Sequence, residues 1–233
     1  MENYSASKKS KIFWGMDGKL KSFDRFAHTY DEYNVIQKKI IKKYLPFLKN
    51  RVVDLGCGSE GLCKYKAFDF YLGIDNSEEM LKRNPCNTLK ADFNDKECFE
   101  LIKKYDFEQI VSFSALQWSK DLNFVFSQIK KLNKEYLLAL FTSNTFKGLH
   151  KFLQIKSPIV TKNEILKASE ILNPANIEIL NDEMTFQSPK EMLEYIKYSG
   201  VSGNVRVSPA KIREFLKKFP LNVLEFEIVV IYN

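Results

Sequence analysis

Short apolar runs alternate with amphipathic segments up to about residue 142. The runs are bounded by turn residues and predict parallel strands at 51–55, 71–74, 88–90, 109–113 and 136–141. Between them, 36–48 has apolar residues at the helical period, Asn76-Ser77 offers an N-cap for a second helix, and 121–132 supplies a third. Strands that alternate with helices predict a doubly wound α/β sheet.

The pattern changes after Thr142. Helices are predicted at 161–172 and 188–198, with a short strand-like segment at 177–184 between them. Ser208-Pro209 then opens a helix that runs to Phe219, and the β-branched and aromatic residues of 224–232 form a closing strand. We therefore predict a core of residues 1–143 and 204–233, in which 1–35 form covering helices. Residues 144–203 are predicted to be an inserted lid over the carboxyl ends of the parallel strands, where ligands bind in such sheets.

A glycine-rich turn follows the first predicted strand. The run from Val52 to Gly61 is VVDLGCGSEG, and the second strand ends at Asp75, about 20 residues after Asp54. Glycines at 56 and 58 allow a sharp turn and a close approach of the backbone to a ligand. An acidic side chain at the end of the second strand is where an α/β nucleotide fold holds ribose hydroxyls. The pattern predicts a nucleotide-cofactor site.

Two cofactor classes fit this turn, and a glycine turn without a ligand is a third possibility. Gly56, Gly58 and Gly61 have the G-x-G-x-x-G spacing of a dinucleotide site. The segment Asp54 to Gly58, however, resembles the D-L-G-C-G turn of class I S-adenosylmethionine-dependent methyltransferases, and 90–93, KADF, resembles the third-strand signature of that class. Glu60 departs from the pattern, since the class usually has its third glycine there.

The class resemblance implies a Rossmann-like, mostly parallel, seven-stranded sheet with helices on both faces and a small helical lid after the fifth strand. It also implies S-adenosylmethionine as the cofactor. The cofactor-binding residues would then be Asp54, Gly56, Cys57, Gly58, Asp75, Asn76, Met80, Asp92, Phe93 and Ser114. In this set the carboxylate at 92 would take the adenine amino group, and the ring at 93 would pack against the base.

Composition agrees with an intracellular enzyme. The chain has 233 residues, 45% of them hydrophobic, which suffices for one substantial core. No run reaches the roughly 18 apolar residues of a membrane span, and the polar residues 1–11 lack the apolar core of a secretory signal. We expect a cytoplasmic monomer that does not bind membranes.

The cysteines and the charge add two further expectations. Cys57, Cys63, Cys86 and Cys98 form no C-x-x-C pair, so we predict four reduced thiols. The chain has 2 histidines, too few for an obvious zinc cluster, so no metal is expected. A net charge of +7 indicates an acidic partner, which could be nucleic acid, an anionic membrane or an acidic protein.

A narrower resemblance covers most of the chain. Residues 22–31, SFDRFAHTYD, together with Gln37, resemble the N-terminal signature of the malonyl-[acyl-carrier protein] O-methyltransferase family of biotin synthesis. Residues 114–118, SALQW, resemble the segment after the fourth strand of that family. Phe141-Thr142 and 148–150, GLH, resemble its fifth strand and the entry to its lid, and the later helices, the Gly200 to Gly203 loop and the last strand follow in matching order.

The family resemblance implies methylation of the free carboxylate of a malonyl thioester carried by an acidic acyl carrier protein. Tyr30 and His150 would be the catalytic residues, the first as a hydrogen-bond donor and the second as a donor or a cation. Trp118 would form an apolar wall of the acceptor site, with Gln117 beside it. The alternatives are a cap over the cofactor for Tyr30, a surface position for His150 and a core position for Trp118.

Other functions stay open at this point. A different metabolite methyltransferase would share the cofactor half, and a catalytically silent binding module would fit the altered glycine turn at Glu60. Methylation of nucleic-acid bases is disfavoured, because 114–116, SAL, stands where an Asn/Asp-Pro-Pro-aromatic motif would be wanted. If the acidic partner is a carrier protein, the candidate contacts are Lys8, Lys9, Lys11, Lys19, Lys21, Lys147, Lys151 and Lys156. A solvated face is the simpler explanation of these lysines.

Overall fold

Seven strands form a single sheet in the protein. The structure, a computed structural model, describes residues 32–199, 207–220 and 222–233. The strands are β1 Arg51–Leu55, β2 Phe70–Asp75, β3 Thr88–Lys90, β4 Gln109–Phe113, β5 Glu135–Phe141, β6 Asn176–Thr185 and β7 Val223–Tyr232. Their order across the sheet is β3-β2-β1-β4-β5-β7-β6.

The first five strands run parallel, and the last two are antiparallel to their neighbours. β1 pairs with both β2 and β4, and β5 pairs with β4 on one side and with β7 on the other. The central strands are buried on both faces, so they are almost continuously apolar, as parallel strands covered by helices must be. The predicted α/β class and mostly parallel seven-stranded sheet are confirmed.

Helices connect the strands, and several of them begin after a residue whose side chain caps the first turn. They are α1 Val35–Tyr44, α2 Glu78–Leu81, α3 Lys96–Ile102, α4 Leu122–Leu132, α5 Lys147–Leu153, α6 Lys162–Ser169, α7 Pro189–Tyr198 and α8 Pro209–Lys218. Each of five helices starts after a residue whose side-chain oxygen accepts a backbone N–H of the first turn: Ser77, Asp121, Thr161, Ser188 and Ser208. α1 gives way to a short 3₁₀ turn, Leu45–Phe47, that contains Pro46.

Two apolar cores lie on opposite faces of the sheet. Residues from α1, α5, α7 and α8 pack on one face, and residues from α3, α4 and α6 pack on the other. Neighbouring positions of one strand alternate between the cores; Val52 belongs to the first core and Val53 to the second. The protein therefore has three layers, which are helices, sheet and helices. Because the first five strands are parallel, their carboxyl ends lie at the same edge of the sheet.

One segment of the predicted lid belongs to the sheet. The strand-like stretch at 177–184 is the ten-residue edge strand β6, which pairs with β7 from Asn176–Tyr232 to Thr185–Val223. The sequence alone places it between two helices, but its paired residues lie 38 to 56 positions further along the chain. In the described ranges, no helix is both long and apolar enough to cross a membrane.

The prediction of four reduced thiols is wrong. Cys63 and Cys86 form a disulfide with Cα atoms 5.9 Å apart, whereas Cys57 and Cys98 are buried free thiols. β2 pairs with both β1 and β3, and the segment after β1 meets the segment before β3 beside it, a proximity that cysteine spacing does not reveal.

Candidate functional site

The glycine turn lies at the carboxyl end of β1, between the carboxyl ends of β2 and β4. The chain leaves β1 toward β2 on one side and reaches β4 on the other, so the strand order reverses at this point. Ligands of open α/β sheets bind in the crevice that such a reversal creates. The predicted cofactor residues of the glycine turn and of the segments after β2, β3 and β4 all follow these strand ends.

Gly56 permits three of these segments to meet. Its φ is +74°, and the backbone N–H groups of Gly56 and Cys57 both donate to the carbonyl oxygen of Ile74, over 2.7 and 3.0 Å. A Cβ at position 56 would lie 2.1 Å from Ala115 Cβ and 3.6 Å from Phe93 Cε1. The turn after β1, the segment after β3 and the segment after β4 are therefore in contact at a point where a side chain would not fit.

Gly58 faces open space and is held by Asp75. Its φ is +56°, and a Cβ built there would meet no atom within 4 Å among the described residues. Its backbone N–H donates to Asp75 Oδ2 over 2.9 Å, and the N–H of Ser77 donates to Asp75 Oδ1 over the same distance. Carboxylate oxygens have further lone pairs, so Asp75 can still accept ribose hydroxyls.

The two remaining residues predicted after β2 have different surroundings. Asn76 is half-buried beside Asp75, whereas Met80 is 2% exposed and its N–H donates to the N-cap Ser77. Met80 thus contributes apolar surface rather than a polar group.

Only one of the two carboxylate oxygens of Asp92 accepts hydrogen bonds from the loop that carries it, among the residues that the structure describes. The backbone N–H of Asn94 and its side-chain amide donate to Asp92 Oδ1 over 2.9 and 2.7 Å. No donor of the described ranges reaches Oδ2. An acceptor oxygen next to the ring of Phe93 has the chemistry that an adenine amino group and an adenine face require.

Ser114 has a left-handed backbone and an unpaired hydroxyl. Its φ is 66°, its N–H donates to the carbonyl oxygen of Ala139 over 2.8 Å, and its Oγ is buried without a hydrogen-bond partner in the described part of the chain. Strained residues of this kind cluster at ligand sites.

Gln117 and Trp118 stand in the 3₁₀ turn that follows β4. The Gln117 amide donates to the Ser114 carbonyl over 2.7 Å, and its Oε1 has no partner among the described residues. Trp118 is half-buried and packs against the core on the α1 side. Its position is compatible with a wall of a pocket and with core packing alike.

Asp54 is a buried carboxyl with a perturbed pKa. It is 4% exposed, and burial is the main reason that its pKa rises to about 7. The hydroxyl of Tyr71 donates to Asp54 Oδ2 over 2.9 Å and opposes this rise, while the negative charge of Asp75 adds to it. Burial also raises the pKa of the Cys57 thiol well above its usual range, so Cys57 is an inert, neutral group.

Glu60, the departure from the glycine pattern, fastens the turn to α1. It accepts hydrogen bonds from Tyr65 (2.8 Å) and Asn34 (3.4 Å), and Lys38 and Lys64 lie 3.5 and 3.7 Å away. Burial alone would raise its pKa, but these partners together lower it. A glycine here could make none of these contacts.

His150 borders an apolar pocket. α5, α7 and α8 line the pocket through Leu149, Leu153, Leu193, Ile196, Ile212 and Phe215. His150 Nδ1 is buried and finds no partner in the described ranges. Burial lowers the pKa of His150, although Glu225 opposes the change, so the imidazole is neutral near pH 7 and can donate or accept a hydrogen bond.

Tyr30, the other predicted catalytic residue, lies outside the described residues, as do the rest of residues 22–31 and the lysines between 8 and 21. Lys147, Lys151 and Lys156 are exposed on and after α5.

Comparison with known proteins identifies the class. No family model matches the chain. Over 230 residues the chain is 26% identical to the malonyl-[acyl-carrier protein] O-methyltransferase of Neorickettsia risticii, with 85% of this chain and 88% of the relative covered. Four further relatives carry the same name at 24–25% identity.

Solved structures show the same fold. A SAM-dependent methyltransferase of Archaeoglobus fulgidus matches with a TM-score of 0.54 at 18% identity, over 92% of this chain and 100% of that one. A Haemonchus contortus phosphoethanolamine N-methyltransferase, solved with S-adenosylhomocysteine, has a TM-score of 0.53 at 16% identity, over 93% of this chain and 60% of its own. The chain is a class I S-adenosylmethionine-dependent methyltransferase.

The residues of this methyltransferase fit its cofactor. The open space before Gly58, the unpaired hydroxyl of Ser114 and the unused oxygen of Asp92 are features that a polar ligand would satisfy. Asp75 would hold the ribose, Asp92 the adenine amino group and Phe93 the ring. These individual roles stay predictions.

Sequence reasoning missed two residues that support the cofactor turn of the methyltransferase. Tyr71 holds Asp54, and Asn84 donates from its side chain to the carbonyl oxygen of Gly58 over 2.7 Å. No motif indicates either residue, since Tyr71 reaches the turn from β2 and Asn84 reaches it from the segment after α2. Only the pairing of β1 with β2 brings them there.

Proposed function

We propose that this methyltransferase transfers a methyl group from S-adenosylmethionine to the free carboxylate of malonyl-[acyl-carrier protein]. The product would be the methyl ester, at the start of pimeloyl assembly in biotin synthesis. The observation that carries the proposal is the likeness to five relatives of this one name, four of them matching 84–88% of this chain.

Such a methyl transfer requires little acid or base catalysis. The cofactor supplies a methyl group on a sulfonium. A malonyl carboxylate is already ionised at neutral pH, so no residue has to remove a proton from it. The protein must place the carboxylate in line, strip part of its water and balance its charge.

An apolar pocket with one polar edge suits these demands. In the pocket between α5, α7 and α8, aliphatic and aromatic side chains would exclude water, and neutral His150 would donate a hydrogen bond to the carboxylate. A buried nitrogen without a partner costs free energy, which a bound acceptor would recover. Tyr30, Gln117 and Trp118 keep their proposed places around the same acceptor.

A carrier protein would explain the basic surplus. The net charge is +7, and the exposed Lys147 and Lys151 lie one helical turn apart on α5, the helix that also carries His150. Opposite charge on a carrier would speed its association in a salt-dependent manner.

A panel of acceptors tests the proposal. S-adenosylhomocysteine formation should be observed with a malonyl thioester but not with an acetyl thioester, which lacks the free carboxylate. Turnover of the acetyl thioester at the same rate, or no turnover of either one by protein that binds S-adenosylmethionine, would refute the proposed acceptor while leaving the class intact.

A further inference from the structure

The disulfide crosslinks the cofactor turn to the segment before β3. Cys63 stands in the 3₁₀ turn Leu62–Lys64, five residues beyond Gly58, and Cys86 stands two residues before β3. The two cysteines are 23 residues apart in sequence and enclose all of β2, including Asp75. The bond therefore joins two loops that flank the proposed ribose-binding carboxylate.

Asn84 connects this crosslink to Gly58. Its Oδ1 accepts the backbone N–H of Cys86 over 2.9 Å, and its Nδ2 donates to the carbonyl oxygen of Gly58 over 2.7 Å. The backbone N–H of the same glycine donates to Asp75. The N–H of Gly58 is thus held by Asp75, the residue predicted to bind the ribose, and its carbonyl oxygen is held by Asn84, which also binds the backbone of Cys86.

The contact between the two loops leaves no room for a side chain. A Cβ at Gly61 would lie 2.4 Å from Cys86 Sγ and 2.5 Å from Asn84 Oδ1. Gly61 has a φ of +62° and caps the turn that carries Cys63. Movement of Cys86 away from Cys63 would consequently change the surroundings of both Gly61 and Asn84.

The disulfide is accessible from one side. Cys63 is exposed and Cys86 is half-buried, in contrast to the buried thiols of Cys57 and Cys98. A thiolate from solvent can approach the sulfur of Cys63, and accessibility is one of the factors that decide whether a disulfide exchanges.

We propose that Cys63–Cys86 is a thiol-exchange site that couples the redox poise of small thiols to cofactor affinity. A thiolate such as that of glutathione attacks Cys63 Sγ, and the electrons of the S–S bond leave with Cys86 as its thiolate, which takes a proton from solvent. A second glutathione thiolate then attacks the glutathione sulfur of the mixed disulfide, which forms glutathione disulfide and releases Cys63 as a thiolate that takes a proton from solvent. Two electrons and two protons pass to the protein, and the reverse sequence closes the bond.

Reduction should weaken cofactor binding. Without the bond, the hydrogen bonds of Asn84 hold the turn without a covalent crosslink, so the backbone at Gly58 is less ordered beforehand and must be ordered when the cofactor binds. Coupling is reciprocal, so bound S-adenosylmethionine should favour the oxidised pair by the same factor. The proposal concerns the cofactor half of the site and does not depend on which acceptor is methylated.

Calorimetry on the wild-type chain tests this directly. Thiol titration should find the two buried cysteines free in the oxidised protein and all four cysteines free after treatment with reduced glutathione. The affinity for S-adenosylmethionine should fall by about fivefold or more on reduction, as expected for a typical coupling between sites. Affinities equal within about twofold, which is less than such a coupling, or four free thiols in air-oxidised protein, would overturn the proposal.

Variants separate coupling from general loosening. Asn84→Ala should weaken binding in the oxidised protein and remove most of the redox dependence, whereas Asn87→Ala, in the same loop but bonded to the Tyr71 carbonyl, should retain it. Cys86→Ser should bind like the reduced wild type, and Cys98→Ser should behave like wild type in both states. Circular dichroism must show that the reduced wild type is folded. Unfolding on reduction, or full redox dependence in Asn84→Ala, would contradict the coupling.

Discussion

Tyr71 donates a hydrogen bond from its hydroxyl to Asp54 Oδ2 over 2.9 Å, and both residues are buried beneath the glycine turn. Burial raises the pKa of Asp54 to about 7, with Tyr71 opposing the rise. The carboxyl is therefore about half protonated at neutral pH, and a cationic ligand placed nearby would favour its ionised form.

This relationship predicts that cofactor affinity depends on pH. S-adenosylmethionine carries a sulfonium and an ammonium, so its binding should lower the pKa of Asp54 and release a proton. Affinity should rise as the pH increases through about 7, and Asp54→Asn should remove the dependence. Calorimetry in buffers of different ionisation enthalpy measures the released protons. Equal proton release by wild type and Asp54→Asn would exclude this role.

Tyr71→Phe should cost more stability at alkaline than at acidic pH. Because the folded pKa of Asp54 is raised, its ionisation destabilises the fold progressively as the pH rises from about 4 to about 7. Above that pH range, Tyr71→Phe removes a hydrogen bond to a charged carboxylate, which contributes about 1.5–3 kcal/mol. Below that range, the substitution removes a hydrogen bond to a neutral acid, which contributes about 1 kcal/mol. Urea unfolding near pH 5 and pH 8 measures the difference. A cost independent of pH would show that Asp54 does not titrate as described.

Glu60→Gly restores the usual glycine of the class but should not improve the protein. The substitution removes two hydrogen bonds and two nearby ion pairs, so the free energy of unfolding should fall by about 1–3 kcal/mol.

Glu60→Gln is the matched control, since it keeps the shape and part of the hydrogen bonding. The pKa of Glu60 is lowered, so its contribution is present above the unfolded pKa of about 4.3 and is lost as the pH falls through the folded pKa. The glutamine variant should lack this loss. A glycine variant as stable as wild type would contradict the anchoring of the turn.

His150→Ala should reduce turnover of a malonyl thioester by about tenfold or more, because it loses a hydrogen bond to a charged group. Affinity for S-adenosylmethionine should not change. His150→Phe keeps the apolar volume and tests whether the loss comes from the polar nitrogen. Turnover by either variant within about threefold of wild type would remove His150 from the acceptor site, and the same threshold applies to Tyr30→Phe.

Reversal of charge on α5 should impair only the carrier-linked substrate. Lys147→Glu combined with Lys151→Glu should raise KM for malonyl-carrier protein and leave that for a free malonyl thioester unchanged. Lys104→Glu with Lys131→Glu makes the same change of charge beside α3 and on α4, across the sheet, and serves as the control. Equal effects of the two double variants would assign the influence to net charge rather than to a docking surface.

Local signals predicted most of the sheet and the cofactor turn. The strands at 51–55, 88–90 and 109–113 coincide with the observed ones, because apolar runs bounded by turn residues determine them. Capping chemistry likewise indicated the start of the helix after Ser77.

Long-range pairing determined what the sequence did not reveal. β6 joins the sheet through β7, Cys63 reaches Cys86 through the pairing of β1 with β2, and Glu60 meets Asn34 and Lys38 only because α1 packs across the turn. None of these partners has a fixed spacing along the chain, so no motif could have indicated them.

Transfer of isotopically labelled methyl from S-adenosylmethionine tests the central claim most directly. The protein is incubated with labelled cofactor and malonyl-carrier protein, the carrier is isolated, and mild alkali is used to hydrolyse esters. Label should appear on the malonyl-carrier protein, leave as methanol on alkaline treatment, and be absent when acetyl-carrier protein replaces the malonyl form. An unlabelled malonyl-carrier protein, or label that resists alkali, would contradict methylation of the malonyl carboxylate.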